Sequence, residues 1–251
     1  MPRERFYHSL LAVTATVTAV ALLAVVVTLA APVIEVRLPA QITRYIPYIT
    51  GCGRYETITL LNETAPPLDS IVVEAGGVGV TIKAWSSDRV VVQLVNEGRC
   101  IEWGASISGG QLRVHVEGQG CCKAYINIPR RSYKQIDVKG SAVKLAMEGV
   151  DAGEAWISLS AASAEIASAR IKSLHIDLDA ANLHTRGLTV TKEAVIKAVA
   201  SNAKISLANH AANILLKPPI TAANIQTACR EAPSPVIMIS GSAANIVVTC
   251  S

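Results

Sequence analysis

Four polar side chains in the second half of the chain are of the types that bind ligands: His175, Asp177, Asp179 and His184. Imidazole and carboxylate groups bind divalent metals, and both form hydrogen bonds with carbohydrate hydroxyls. Apolar residues occupy positions 174, 176 and 178, so a strand would direct the polar side chains to one face. These residues form a candidate face for a metal or a carbohydrate. The alternative is the solvated face of an amphipathic strand, and no metal site is assigned.

The elements that carry these residues belong to a repeat of about 20 residues. A polar residue followed by Ile or Leu recurs at intervals of 21, 17, 22, 20 and 21, and we use these six residues as anchors. Apolar or small residues lie eight, six and four positions before each anchor, a period of two that is typical of strands stacked on copies of themselves. The pattern predicts an all-β, single-stranded β-solenoid resembling a parallel β-helix. The anchors are Lys144, Glu165, Asn182, Lys204, Asn224 and Asn245.

The anchors themselves suit a structural role. Asn182, Asn224 and Asn245 would stack as a ladder of amides at turns, with Asn213 a candidate member on a second face. Lys144 and Glu165 would stack as a pair of opposite charges that contributes at most a fraction of a kcal/mol.

Enzymatic chemistry finds little support in the sequence. Cleavage of a polysaccharide requires paired carboxylates or clustered acids with a base, and the repeat region contains few acids. Serine is plentiful, but it follows the turns of the repeat rather than a nucleophile motif. We predict a non-catalytic protein without a cofactor, and an envelope enzyme that acts on polysaccharide is the alternative.

The chain contains six cysteines: Cys52, Cys100, Cys121, Cys122, Cys229 and Cys250. Two of them, Cys229 and Cys250, each follow an asparagine anchor by five residues. Stacked strands lie about 4.8 Å apart, within the usual Cα separation of a disulfide, so we predict a bond between them. The pairing of the other four stays open, with Cys52 bonded to one of the remaining three. Paired Cys-x-x-Cys spacing is absent, which disfavours a zinc site.

An uncharged run of 25 residues, 10–34, lies near the N-terminus. As a helix it would span roughly 37 Å, enough to cross a bilayer. Arg3 and Arg5 precede it, so residues 1–9 are expected in the cytoplasm and everything after the helix outside the cell. A cleaved signal peptide, with small residues at 28–31, is the alternative. Its apolar segment would be only about 7–15 residues long, which favours a retained single-pass anchor in the cell membrane.

Residues 35–56, rich in Pro and Gly, are predicted to form a stalk, and residues 57–251 the extracellular domain. Asn62 begins an Asn-Glu-Thr sequon and is a candidate glycosylation site in an exported chain. The net charge of +4 is thinly spread, and no basic run with interleaved aromatics indicates a nucleic-acid surface.

The order of segments in this domain resembles a known group. A segment at 111–114 and a strand at 124–129 that ends in Ile-Asn-Ile-Pro precede repeats at 136–142, 156–166 and 174–183. The group typically has a strand that ends in Ile-x-x-Pro, followed by repeats of the form apolar-x-apolar-Ser-Gly-Ser-x-apolar. The pattern is similar to that of auto-transporter adhesin head (GIN) domains and related adhesin domains. In this chain the glycine of the repeat turn is mostly alanine. The resemblance covers about residues 70–251, implies adhesion, and brings no catalytic residues.

These observations predict a membrane-anchored β-solenoid at the cell surface that acts as an adhesin or an envelope interaction module. Repeat solenoids present extended surfaces, so surface glycans or envelope proteins are the expected partners. A structural subunit that associates with itself end to end is a further alternative, because stacked rungs leave open strand edges.

Overall fold

The structure is a computed structural model that describes residues 56–64, 67–96 and 100–251. The predicted transmembrane helix at 10–34, the cytoplasmic segment 1–9, stalk residues 35–55 and Cys52 lie outside these residues. Within the described part of the chain, no helix is both long and apolar enough to span a bilayer. The predicted domain is all-β, as expected from the sequence.

The described residues form eighteen strands. In chain order they are β1 (Glu56–Thr64), β2 (Ser70–Gly76), β3 (Gly79–Trp85), β4 (Arg89–Asn96), β5 (Cys100–Ser108), β6 (Gln111–Gly118), β7 (Lys123–Pro129), β8 (Ser132–Ser141), β9 (Lys144–Glu148), β10 (Asp151–Ser160), β11 (Ser163–Ala167), β12 (Arg170–Asp179), β13 (Asn182–Val199), β14 (Asn202–Leu207), β15 (Asn213–Thr221), β16 (Asn224–Ala228), β17 (Val236–Ser242) and β18 (Asn245–Cys250).

The strands form two sheets, which we call sheet A and sheet B. Sheet A runs β1-β4-β7-β3-β9-β11-β13-β14-β18-β16. Sheet B runs β5-β6-β2-β8-β10-β12-β13-β17-β15, and the long β13 belongs to both sheets. One sheet B strand followed by one sheet A strand makes a rung. From β8 to β13, equivalent residues of sheet B follow one another after 19 or 20 residues.

The core lies between the two sheets and is made of inward columns of aliphatic residues. Val138, Ile157, Ile176, Ile196 and Ile239 are successive partners across five strands of sheet B, and all are buried. Alternate residues on these strands point outward, as the period of two predicts. Repeating columns of aliphatic side chains therefore bury apolar surface between the rungs and hold them together.

At the corner that joins each sheet B strand to its sheet A strand, one residue adopts the left-handed backbone conformation. These corner residues form a column along the stack, and the alanines among them have φ values between 47° and 53°. The backbone N–H groups of Ala142, Ala161 and Ala180 each donate to a carbonyl of the neighbouring rung at 2.9 Å, so the parallel ladder continues around the corner. The column comprises Gly77, Ala142, Ala161, Ala180, Ala200, Ala222 and Ala243.

The rungs are not stacked in chain order at either end. The C-terminal rung, β17–β18, is inserted between β13–β14 and β15–β16, so β15 and β16 are the outermost strands at that end. At the other end, β2–β3 lies between β6–β7 and β8–β9. There β1 pairs with β4, β4 pairs with β7, and β5 pairs with β6, all in antiparallel fashion. The last rung of the sequence is therefore an interior rung of the fold.

Two of the six predicted anchors are wrong. Lys144 is aligned with Ser163 rather than Glu165, and Asn202 rather than Lys204 continues the asparagine column. The predicted Lys144–Glu165 pair is therefore also wrong, and Glu165 forms its ion pair with Arg186 instead. Residues 163 and 165 both point outward and both precede a small or apolar residue, so the pattern alone leaves the register open by two positions.

The asparagine ladder does form, and it contains the member that the anchors missed. Asn182, Asn202, Asn245 and Asn224 follow one another across sheet A. Asn202 Nδ2 donates to Asn182 Oδ1, and Asn224 Nδ2 donates to Asn245 Oδ1, both at 3.2 Å. Because these amides bond to one another, the ladder serves mainly to hold register. Asn213 lies in β15 of sheet B.

Disulfides link strands near both ends of the stack. Cys229 is bonded to Cys250, the pair predicted from the repeat, with Cα atoms 4.8 Å apart. Because β16 is an outermost strand and β18 is its neighbour, this bond ties the edge rung to an interior rung. Cys100 is bonded to Cys122, which settles one pairing that the sequence left open. Cys121 is disulfide-bonded as well.

Candidate functional site

The outer side of sheet B presents two parallel columns of side chains that differ in chemistry. One column consists of Asp137, Trp156, His175 and Val195, which are successive partners on β8, β10, β12 and β13. The second column, two residues further along each strand, consists of Lys139, Ser158, Asp177 and Lys197. Aromatic rings thus lie beside charged and hydroxyl groups. We call this surface the Trp156 face, defined by Asp137, Lys139, Trp156, His175, Asp177 and Lys197.

The centre of this face is a stacked aromatic pair. The rings of Trp156 and His175 have centroids 3.8 Å apart and planes within 8° of parallel. Parallel pairing of β10 with β12 places the two side chains directly next to each other, and stacking is the result. On the other side of the indole, the strand partner of Trp156 is Asp137 on β8. Its side chain is much shorter than the indole and leaves part of the ring uncovered. Trp156 is 44% exposed, so much of the indole is available to a ligand.

A shallow cleft of about 360 Å³ lies along the aromatic pair. Asp137, Asp177, Lys139 and Lys197 line it, so its carboxylates and ammonium groups balance in formal charge. Lys139 Nζ lies 3.5 Å from Asp137 Oδ2. An aromatic surface bordered by a few donors and acceptors, with little net charge, fits a neutral ligand that has hydroxyl groups.

The structure brings together three of the four residues that the sequence singled out. His175, Asp177 and Asp179 lie on β12 and point to the outer side of sheet B. His184 lies in sheet A, because the chain turns at Ala180 before β13 begins. The expectation of one face for all four is therefore wrong for His184. His175 and Asp177 line the cleft.

Trp156 is the residue that reasoning from sequence missed. The signal was available: Trp156 stands between Ala155 and Ile157, so the period of two already places it outward. Its outward position, one rung before His175 and Asp177, is the signal that would have added it to the candidate face.

Asn62 lies in β1, an outermost strand of sheet A, and is exposed. Arg89 donates from Nε to Asn62 Oδ1 at 2.8 Å and from a terminal nitrogen to the backbone oxygen of Asn62 at 2.9 Å. The side chain is accessible at the surface, and its glycosylation stays a prediction.

Comparisons with known proteins give similarity of fold only. No protein-family model matches the sequence, and no curated protein matches it either. Solved structures that are similar include a candidate cell adhesion protein from Clostridium sporogenes, at 7% identity and a TM-score of 0.49, covering 79% of this chain and 100% of the other. Candidate adhesins from Bacteroides fragilis and Parabacteroides merdae are similar at 9% identity each. Their TM-scores are 0.36 and 0.37, and they cover 78% and 79% of this chain and 97% of their own. Similarity at this level carries no information about what this chain binds.

Proposed function

We propose that this protein is a non-catalytic β-solenoid of the adhesin head type that binds carbohydrate through the Trp156 face. The observation that carries the proposal is the exposed indole of Trp156, stacked on His175 beside a cleft of balanced charge. The apolar C–H face of a pyranose ring packs against an indole, and the ring hydroxyls exchange hydrogen bonds with neighbouring carboxylates and ammonium groups. Asp137, Asp177 and Lys197 are placed to make those bonds.

We also propose that the domain is exported and held at the cell membrane by residues 10–34. Two observations support export: the disulfides Cys100–Cys122 and Cys229–Cys250, which are typical of oxidising compartments. The anchor itself rests on the length of the uncharged run and the preceding arginines. An exported carbohydrate-binding surface on a membrane anchor suits attachment to envelope or host glycans.

The test is binding of the full-length oxidised chain to a glycan array and to whole cells, compared with two variants. Trp156→Ala removes the indole, and a loss of tenfold or more is expected, because about 1.4 kcal/mol is tenfold in affinity and aromatic contacts contribute this order. Tyr125→Ala is the matched control, since Tyr125 is an exposed aromatic on sheet A. Equal binding by the wild type and Trp156→Ala would rule out the Trp156 face.

Self-association through the outermost rung is the second candidate, favoured by one specific observation. Leu216 continues the inward column after Ile239, which is fully buried, yet Leu216 is 53% exposed because β15 is the outermost strand of sheet B among the described residues. A second copy of the chain would cover this open end of the core. Pro218 and Pro219 oppose strand pairing at this edge, because they remove two N–H donors from β15. Light scattering decides: a dimer or filament that Leu216→Lys returns to monomer would support it.

A further inference from the structure

We propose that Glu102, His115 and Glu117 form a binding site for a divalent transition metal ion, for which Zn²⁺ is the probe. The ligand atoms of these three side chains all lie within 4.8 Å of one another. They stand on the outer side of sheet B, on β5 and β6, and only β2 lies between them and β8, the first strand of the Trp156 face. The three ligands are residues that the proposed carbohydrate contact does not use.

The fold places the three residues together through the antiparallel pair β5–β6. Glu102 is directly opposite Glu117, and His115, two residues before Glu117, points to the same side. The register shifts between Cys100 and Glu102, an irregularity of the kind that redirects a side chain at a sheet edge. The Cys100–Cys122 disulfide holds the first residue of β5. Glu102 therefore stands two residues from a covalently fixed point on an edge strand.

The charges around the cluster favour a cation. Two carboxylates directly opposite each other across a sheet repel, and a divalent ion between them removes that cost. Glu74 adds a third carboxylate, because it is the partner of His115 on β2. The nearby cations have other partners: Arg113 Nε donates to Gln111 Oε1 at 2.6 Å. Lys139, opposite Glu74 on β8, forms its ion pair with Asp137.

The imidazole of His115 lies between two carboxylates, one at each nitrogen. Its Nε2 is 4.0 Å from Glu102 Oε1, and its Nδ1 is 4.0 Å from Glu74 Oε2. With the metal bound at Nε2, Nδ1–H would point to Glu74. This is the carboxylate–histidine–metal arrangement that sets the tautomer and orientation of a ligating imidazole. Glu74 is then a positioning residue rather than a ligand.

Space for an ion and its waters comes from glycines on both neighbouring strands. Gly104 is opposite His115 on β5, and a Cβ built on it would have no atom within 4 Å. Gly76 is opposite Glu117 on β2, and a Cβ there would lie 3.7 Å from Glu117 Cγ. A Cβ would therefore meet open space at Gly104 and only an ordinary van der Waals contact at Gly76. The absence of side chains at these two glycines leaves the outer side of the cluster open to solvent.

The donor set selects the class of metal. One imidazole nitrogen with carboxylate oxygens suits Zn²⁺ and its neighbours, whereas Ca²⁺ and Mg²⁺ prefer oxygen ligands alone. Tetrahedral Zn²⁺ with bonds of about 2.1 Å holds its ligand atoms about 3.4 Å apart. The ligand atoms, up to 4.8 Å apart, must therefore approach by up to about 1.4 Å. Rotation of the exposed glutamate side chains would provide this movement, and water would complete the coordination.

Isothermal titration of the full-length oxidised chain with ZnCl₂, after removal of bound metal with a chelator, tests the site. We expect one saturable site that His115→Ala and Glu117→Gln each weaken at least tenfold, and that Glu74→Gln weakens about tenfold through the orientation of the imidazole. His184→Ala, an exposed histidine on sheet A, is the matched control and should bind as the wild type does. CaCl₂ should bind at least tenfold more weakly than ZnCl₂.

Two results would overturn the proposal. The first is the absence of saturable Zn²⁺ binding by the wild type. The second is binding that His115→Ala and Glu117→Gln leave unchanged while circular dichroism shows both variants folded. Because Glu117→Gln keeps the shape of the side chain, it covers the case in which His115→Ala fails to fold. The glycan experiment is read from Trp156→Ala and the zinc experiment from His115→Ala and Glu117→Gln, so failure of one proposal is distinguishable from failure of the other.

Discussion

Replacing Ala161 with glycine should stabilise the fold, although glycine normally weakens a β-protein. Ala161 stands at the corner after β10 with a φ of 47°, in the left-handed region that costs an L-residue about 1–2 kcal/mol. Its side chain is exposed, so no burial is lost when the methyl group is removed. Its N–H donates to Asp179 O at 2.9 Å, a bond that glycine retains.

The expected gain is the difference of two terms. Relief of the left-handed strain contributes about 1–2 kcal/mol, and the greater freedom of glycine in the unfolded chain costs about 0.4–1 kcal/mol. With the middle of each range, the net stabilisation is about 0.8 kcal/mol. For a domain of this size that corresponds to a rise in melting temperature of about 1–4 °C. Ala142→Gly combined with Ala200→Gly should give about twice the gain, since three rungs, about 14 Å, separate the two sites.

The assay is urea unfolding followed by circular dichroism and by tryptophan fluorescence, because coincident curves show that the rungs unfold together. Ala146→Gly is the matched control: Ala146 is a half-exposed outward residue in the middle of β9, where glycine should cost about 0.5–1 kcal/mol. If Ala161→Gly destabilises the protein as much as Ala146→Gly does, the argument from the left-handed corner is refuted.

Three further changes probe other parts of the fold. Burial raises the pKa of the Tyr133 phenol, and its O–H donates to Pro129 O at 2.7 Å. The folded state therefore favours the protonated phenol, so the free energy of unfolding should fall as pH rises above about 10. Tyr133→Phe should lower the free energy of unfolding by about 0.5–1.5 kcal/mol near neutral pH and should flatten its decline at alkaline pH. An unchanged decline would contradict its assignment to Tyr133. The double variant Cys229→Ser with Cys250→Ser should lose up to about 3 kcal/mol of unfolding free energy. Faster hydrogen exchange should be confined to β15 and β16, whereas faster exchange across the whole stack would show that the disulfide does not stabilise the edge rung specifically. Asn202→Ala should lower the unfolding free energy by less than about 1 kcal/mol, because the hydrogen bond from its side-chain amide to Asn182 is exposed. A loss above about 2 kcal/mol would show that the ladder stabilises the fold as well as holding the register.

The periodicity of the sequence predicted most of the stack and one of its disulfides. Inward columns such as Ile157 and Ile176 follow from alternation alone, and the equivalent positions of Cys229 and Cys250 in the repeat predicted their bond. The error at Glu165 has a physical cause: strand periodicity distinguishes the two faces but not one outward position from the next. The corner residue sets the true register, and an alanine at that point has no distinct signal in the sequence.

The candidate sites were predictable only in part. His175 and Asp177 were found because they alternate with apolar residues on one strand, and Trp156 belongs to the same pattern one rung earlier. The grouping of Glu102, His115 and Glu117 depends on a hairpin whose first strand begins at a register shift. Glu74 joins them from β2, which reaches β6 only because β2–β3 is inserted between later rungs.

The amino-acid sequence by itself determined that the domain is all-β, that its rungs recur about every 20 residues, and that aliphatic side chains face inward, because each of these depends on spacing within a few residues or on the repeat. Tertiary structure alone decided the order of the rungs at the two ends, the side of the stack on which His184 lies, and the meeting of three glutamates with His115. Those features depend on which strand edges pair. Backbone hydrogen bonding is nearly the same for any two strands, so the pairing is decided by how the whole core closes.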